Sequence, residues 1–262
     1  MEKKFCYRKL PVIDKEVFRL GLAGNFGIDG PDVQKALTEY GLNYIFWTPR
    51  MKRATEAVKT VLSHDREKYV VATGPTTAWW SSNIRRYVEK SLSILQTDYL
   101  DVLQIFWVGV LASWTPANLE EMLKLKEEGK VKAIGISIHN RKRAGQLAAE
   151  SPLDLFMIRY NAAHPGAEED IFPHLSPQKH TVTAYTATRW RKLLKRPKGW
   201  DGEVPTAGDC YRFCLTDPHV DVVLTGPKTM SQLEENLAAV KEGPLNEDRM
   251  AWMRKFGKVV HG

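Results

Sequence analysis

Cysteine is scarce in this chain, with three residues among 262. That odd number argues for a reduced, cytoplasmic setting over a disulfide framework. Long apolar runs are missing too. The longest, residues 102–114, is interrupted by Gln104 and is too short to span a bilayer. The opening segment MEKKFCYRKL has no apolar core of the kind a secretory signal carries. Low-complexity tracts, linkers and charge blocks are absent, so residues 1–262 read as a single domain. Membrane, secreted and collagen-like readings are thereby set aside. What is present is ordinary globular material: 43% apolar and 26% charged residues, enough chain to bury a core unaided. Basic residues outnumber acidic ones by 38 to 31, a net charge of +7. The excess suits anionic ligands, although its scatter equally fits a solvated mixed surface.

Short β-rich runs alternate with helix-patterned runs from end to end. The strand-like runs are residues 18–23, 43–47, 69–73, 101–107, 131–137, 154–160, 181–186 and 221–225. Between them, Ile84, Val88, Leu92 and Leu95 share one helical face, as do Leu119, Met122 and Leu123. Thr115-Pro116 reads as an N-cap and first turn, and Gly129 stands where a C-terminal glycine belongs; Pro31 and Gly41 bracket another helix. Apolar strands each followed by a helix predict a parallel sheet covered by helices. Eight such units in this length predict a (β/α)8 TIM barrel, with a doubly wound open sheet as the alternative. Residues 5–9 and 16–20 flank a turn at 11–15 and predict an N-terminal β-hairpin plugging the barrel floor. Met250, Met253 and Phe256 predict a closing helix.

In such a barrel, chemistry sits at the carboxyl ends of the strands. Those ends read Phe46-Trp47-Thr48, Thr73-Gly74, Phe106-Trp107, Ser137, Arg159-Tyr160-Asn161, Tyr185-Thr186 and Thr225-Gly226. Together with SLSILQTDYLDVLQIFW, GKVKAIGIS, TAYT and TGPKTMSQLEENLAAV, these segments make the chain resemble the aldo-keto reductases from Leu20 to Val240. The resemblance implies an NADP(H) cofactor bound without a Rossmann domain. It implies that Ser137 holds the carboxamide and that Tyr185 stacks on the nicotinamide. Gly226, Pro227, Lys228 and Gln232 would then lie around the adenosine phosphate, with Glu235 and Asn236 near adenine. Basic residues from Arg189 onward would clamp the pyrophosphate.

The departures from the family pattern concern catalysis. Alignment puts Phe46 at the family's aspartate, Met51 at its tyrosine, Gly74 at its lysine and Phe106 at its histidine. None of the four transfers a proton. Thr48, Trp79 and Trp80 complete the expected substrate mouth, the two tryptophans either lining a ligand or merely sitting in a loop. Trp47 and Trp107 point outward by strand parity and read as packing. Arg159 shares the parity of Met157 and is expected to point inward, toward an anionic ligand or an acid such as Asp209 or Glu169. Arg159, Tyr160 and His139 are therefore the candidate catalytic residues.

Other motifs carry less. Residues 226–229 look like the tail of a phosphate loop without its upstream glycine. Cys210 and Cys214 share a helical face but have no partner pair, so they read as core rather than metal ligands. Basic runs near Trp190 lack the aromatic-basic repeat of an RNA surface. Two readings follow: an oxidoreductase acting on a flat or acidic small molecule, or a non-catalytic NADP(H)-binding sensor. Neither nucleic acid nor membrane is an expected partner.

Overall fold

The structure, a computed structural model, describes residues 5–24, 27–110 and 112–261. Two short antiparallel strands, β1 (Tyr7–Lys9) and β2 (Glu16–Phe18), form the N-terminal hairpin. Eight parallel strands follow: β3 (Leu20–Ala23), β4 (Tyr44–Phe46), β5 (Val70–Thr73), β6 (Leu100–Val108), β7 (Val131–Ile138), β8 (Leu155–Arg159), β9 (Thr181–Tyr185) and β10 (Val222–Thr225). Each pairs with the next, and β10 pairs back onto β3, so the sheet closes. The open-sheet alternative is excluded.

Closure follows from two-sided burial. Val70, Ala72, Val102, Ala133, Leu155, Met157 and Val222 fill the barrel interior, while residues of opposite parity pack against the helices. Leu10, Ile13 and Val17 of the hairpin join the interior cluster and seal its lower end. Below them, Asp101 is fully buried and holds Lys15 at 3.0 Å and Arg66 at 2.7 Å. It also accepts the Val71 amide, which ties β5 to β6 at the floor.

The helices begin where capping chemistry places them. The Asp29 side chain accepts from Asp32 N at the start of α1 (Gly30–Thr38). The start of α2 (Lys52–His64) has no such cap, and α3 (Ser81–Leu95) follows the β5 loop. Thr115 caps α4 (Pro116–Glu127), and Gly129 beyond it takes φ +73°. Asn140 caps α5 (Arg141–Glu150), and the short α6 (Ala167–Asp170) lies after β8. Thr206 and Asp209 form a reciprocal capping box on α7 (Ala207–Thr216). Thr229 caps α8 (Met230–Lys241), and α9 (Glu247–His261) buries Met253 and Phe256.

One expected strand, 18–23, is two. Arg19 breaks it, because its buried guanidinium donates to the carbonyls of Phe5, Leu215, Val220 and Asp221. Burial lowers its pKa to about 10. The chain turns at Arg19 from hairpin to barrel.

Candidate active site

A cavity of about 1330 Å³ opens at the carboxyl ends of the strands. It exceeds the roughly 300–1,000 Å³ of ordinary small-molecule pockets, so it has room for a dinucleotide beside a substrate. Phe46 and Phe106 line its floor, with ring centroids 5.4 Å apart and planes tilted by 52°. Gly74 lies at the same level in close contact with β6. A Cβ there would meet the Gln104 carbonyl oxygen at 1.6 Å, so only glycine fits. Thr48 also lines the cavity.

On the far wall stand Ser137, Met157 and Tyr185. Burial raises the Tyr185 pKa, opposed by the Arg159 charge and by a hydrogen bond with Ser137. The Tyr185 hydroxyl also lies 3.3 Å from His139 Nε2. His139 is lowered below its ordinary pKa by desolvation and by Arg159. The trio of Arg159, His139 and Tyr185 thus forms a polar rim over the β7, β8 and β9 ends.

The third wall comes from the β10–α8 turn. Gly226, Pro227, Lys228, Gln232, Glu235 and Asn236 all line the cavity. Gln232 Oε1 accepts the Lys228 amide at 2.9 Å, and Gly27 (φ +134°) abuts Lys228, with the Ile28 amide donating to the Pro227 carbonyl. The turn is held from two sides, with its cation free to face the cavity. Asn236 spends its amide on Thr225 Oγ1, which in turn donates to the Tyr211 hydroxyl.

Several expected residues lie elsewhere. Arg159 follows the parity of Met157, but β8 ends there, and its side chain is exposed at the rim rather than in the cavity. No ion pair joins it to Asp209 or Glu169; Asp209 pairs with Arg249 instead. Tyr160 falls outside the mouth altogether. Its parity points outward, its ring packs on Phe172 and Phe213, and its hydroxyl donates to Glu168 at 2.7 Å. Burial and that carboxylate push its pKa far up, so it is a packing residue. Met51 is buried against the outer core at the start of α2 and does not line the cavity. Trp79 and Trp80 are exposed, 51% and 69%, on a loop beyond the cavity lining. Arg189 donates to the carbonyls of Val260 and His261, which turns it toward the end of α9 instead of the cavity. Arg191 and Trp190, from the same run, do line it.

Two features escaped the sequence reading. Trp107 lines the cavity instead of packing outward, because β6 loses register between Ile105 and Val108 and Trp107 takes φ +51°. Parity fails at such an irregularity. Tyr87 on α3 also lines the cavity, its hydroxyl 2.6 Å from Thr73 Oγ1 and its pKa raised by burial. The helix that carries it was legible from Ile84, Val88, Leu92 and Leu95, but neither Tyr87 nor the opening beside it was singled out. Cys210 and Cys214 lie buried in α7, and burial pushes both thiols up.

The placement of Arg159 has a measurable signature at His164. Desolvation, then Arg159 and Arg189, lowers the His164 pKa from 6.5 to about 4. Its contribution to stability is therefore complete above pH 6.5 and lost as the pH falls toward 4, where only the unfolded chain binds the proton. Arg159→Ala is expected to raise the pKa of both His139 and His164 in an NMR titration. Unmoved histidines would place the guanidinium away from the rim.

A closed parallel barrel with its cavity at the strand carboxyl ends is the architecture of a TIM-barrel enzyme. Comparison with known proteins makes the assignment specific. The chain belongs to the aldo/keto reductase family, a family of oxidoreductases that act on small molecules and typically bind a nicotinamide cofactor; its pattern matches residues 37–198. The chain is 30% identical over 129 residues to the aldo-keto reductase YhdN of Bacillus subtilis, a match spanning 46% of this chain and 39% of that protein. Similarity to the uncharacterized oxidoreductase YqkF of Bacillus subtilis covers 96% of both chains at 23% identity. The fold superposes on the holo form of the aldo-keto reductase AKR11C1 from Bacillus halodurans with a TM-score of 0.79, 22% identity and 95% coverage of each chain. Among the described residues, no helix is long and apolar enough to cross a membrane.

Proposed function

We propose that the chain binds NADP(H) across the barrel mouth and exchanges hydride with a small molecule, without the family's usual proton-transfer group. The observation that carries this reading is the shared cavity. Ser137, Met157, Tyr185 and the β10–α8 turn line the same space as Phe46 and Phe106. Those residues fit a dinucleotide by their chemistry: a serine beside an aromatic ring, then a lysine at a turn leading into a helix N-terminus, where anions are favoured. NADPH, when bound, supplies a hydride to an electrophilic carbon.

In this reading Tyr185 provides a flat face for the nicotinamide, Ser137 orients its carboxamide, and Lys228 meets the 2′-phosphate. Phe46 and Phe106 exclude water from the floor. Arg159 polarises the substrate oxygen from the rim. Neither neighbour is favoured as the acid, since burial and the Arg159 charge lower the His139 pKa and burial raises that of Tyr185. Water therefore completes protonation. Such a site favours substrates whose carbonyl is already strongly polarised or whose reduced oxygen is a weak base, such as keto acids and quinones.

The test is an NADPH-oxidation assay with quinones and keto acids, comparing wild type with Arg159→Ala. Turnover that falls about 10²-fold or more in the variant is expected for a lost polarising group. Turnover unchanged in the variant removes Arg159 from the mechanism. The phenylalanine pair at the floor favours a second reading, NADP(H) binding without turnover. Tight NADPH binding with no oxidation of any substrate class would select it.

A further inference from the structure

The cavity has a second arm, two to three strands round the barrel from the β10–α8 turn. It is bounded by the β4–α2 loop, which carries Arg50, and by one face of α3. Asn83, Arg86, Tyr87 and Lys90 recur there at helical spacing, so they form a single stripe facing the opening. None of Arg50, Arg86 and Lys90 makes an ion pair among the described residues. The acid on α3 is spoken for: Glu89, which flanks the stripe, lies 3.4 Å from Lys130 and 4.0 Å from Arg85. Around the whole cavity, five cations (Arg50, Arg86, Lys90, Arg191 and Lys228) face one carboxylate, Glu235.

Three unpaired cations on one wall repel one another, and a concave wall focuses their field. A dinucleotide phosphate on the β10–α8 turn would engage Lys228 and leave this wall unneutralised. We propose that the second arm is a subsite for the dianionic head group of the substrate, a phosphate monoester or a dicarboxylate. It rests on the reading of the mouth as a nicotinamide site and names the substrate class that reading leaves open. The two guanidinium forks and the ammonium supply charge-assisted donors suited to paired oxygens. Thr76, Thr77 and Asn83 add neutral donors along the same arm. Tyr87 closes its base, its hydroxyl fixed on Thr73.

The experiment is calorimetric titration with inorganic phosphate and, in parallel, malonate. It is run on the NADPH-saturated wild type, on Lys228→Ala, and on an Arg50→Gln/Arg86→Gln double variant. Lys90→Gln is a single-site check should the double variant fold poorly. Saturable, salt-sensitive binding is expected in the first two proteins. It should weaken at least about tenfold when the cations are neutralised, as charge-assisted contacts predict. The better-bound probe identifies the head group. Binding of neither anion, or binding abolished in Lys228→Ala yet unchanged in the double variant, overturns the subsite. Anion binding that persists in a protein unable to bind NADPH would instead sink the nicotinamide reading and leave the subsite standing.

Discussion

Purified protein is expected to oxidise NADPH with simple aldehydes about 10²–10⁴-fold more slowly than a barrel holding a positioned general acid. Phe46 and Phe106 are hydrocarbon and Gly74 has no side chain, so none of these three can protonate an alkoxide. The deficit should also resist repair by sequence alignment. Gly74→Lys would place a Cβ 1.6 Å from the Gln104 carbonyl oxygen, a backbone atom that cannot swing aside. The variant is expected to lose about 3 kcal/mol or more of stability and to gain no activity. Chemical denaturation and an aldehyde assay on the same preparation check both halves. Brisk aldehyde turnover by wild type, or a stable and active Gly74→Lys protein, would contradict the account.

Lys228→Ala should have the second largest effect. Its backbone is fixed by Gln232 and by the Gly27 loop, so the ammonium is the part free to meet a ligand. A charge-assisted contact contributes about 1.5–3 kcal/mol, so NADPH affinity should drop by roughly tenfold to a hundredfold. NADH, lacking the 2′-phosphate, should bind the variant as it binds wild type. Equal losses for both cofactors would mean that Lys228 contacts something they share, and no loss would remove it from the site.

The barrel was legible because its strands are apolar on both faces and several of its helices carry caps, signals that survive without tertiary context. Thr115 and the Gly129 stop lie where the pattern puts them. Legibility ended where a single side chain overrode the period. Arg19 splits one apparent strand because its guanidinium needs buried carbonyls, a demand set by segments 200 residues away. At Trp107 a positive φ reverses the expected face. Arg159 kept its parity but lies past the depth at which parity means burial, since β8 ends with it. Tyr160 shows the converse: one residue further on, it is buried, but in the helix layer. The basic arm was invisible for another reason. Arg50 and the α3 stripe are a helix apart in sequence and meet only across the cavity.

An equilibrium fluorescence titration of the wild-type protein with NADPH, and separately with NADH, tests the central claim most directly. Saturable binding of NADPH is expected, with altered nicotinamide emission as the ring stacks on Tyr185 and a weaker isotherm for NADH. A linear response with no saturation by either cofactor would contradict the account, because every assignment at the mouth depends on a dinucleotide lying there.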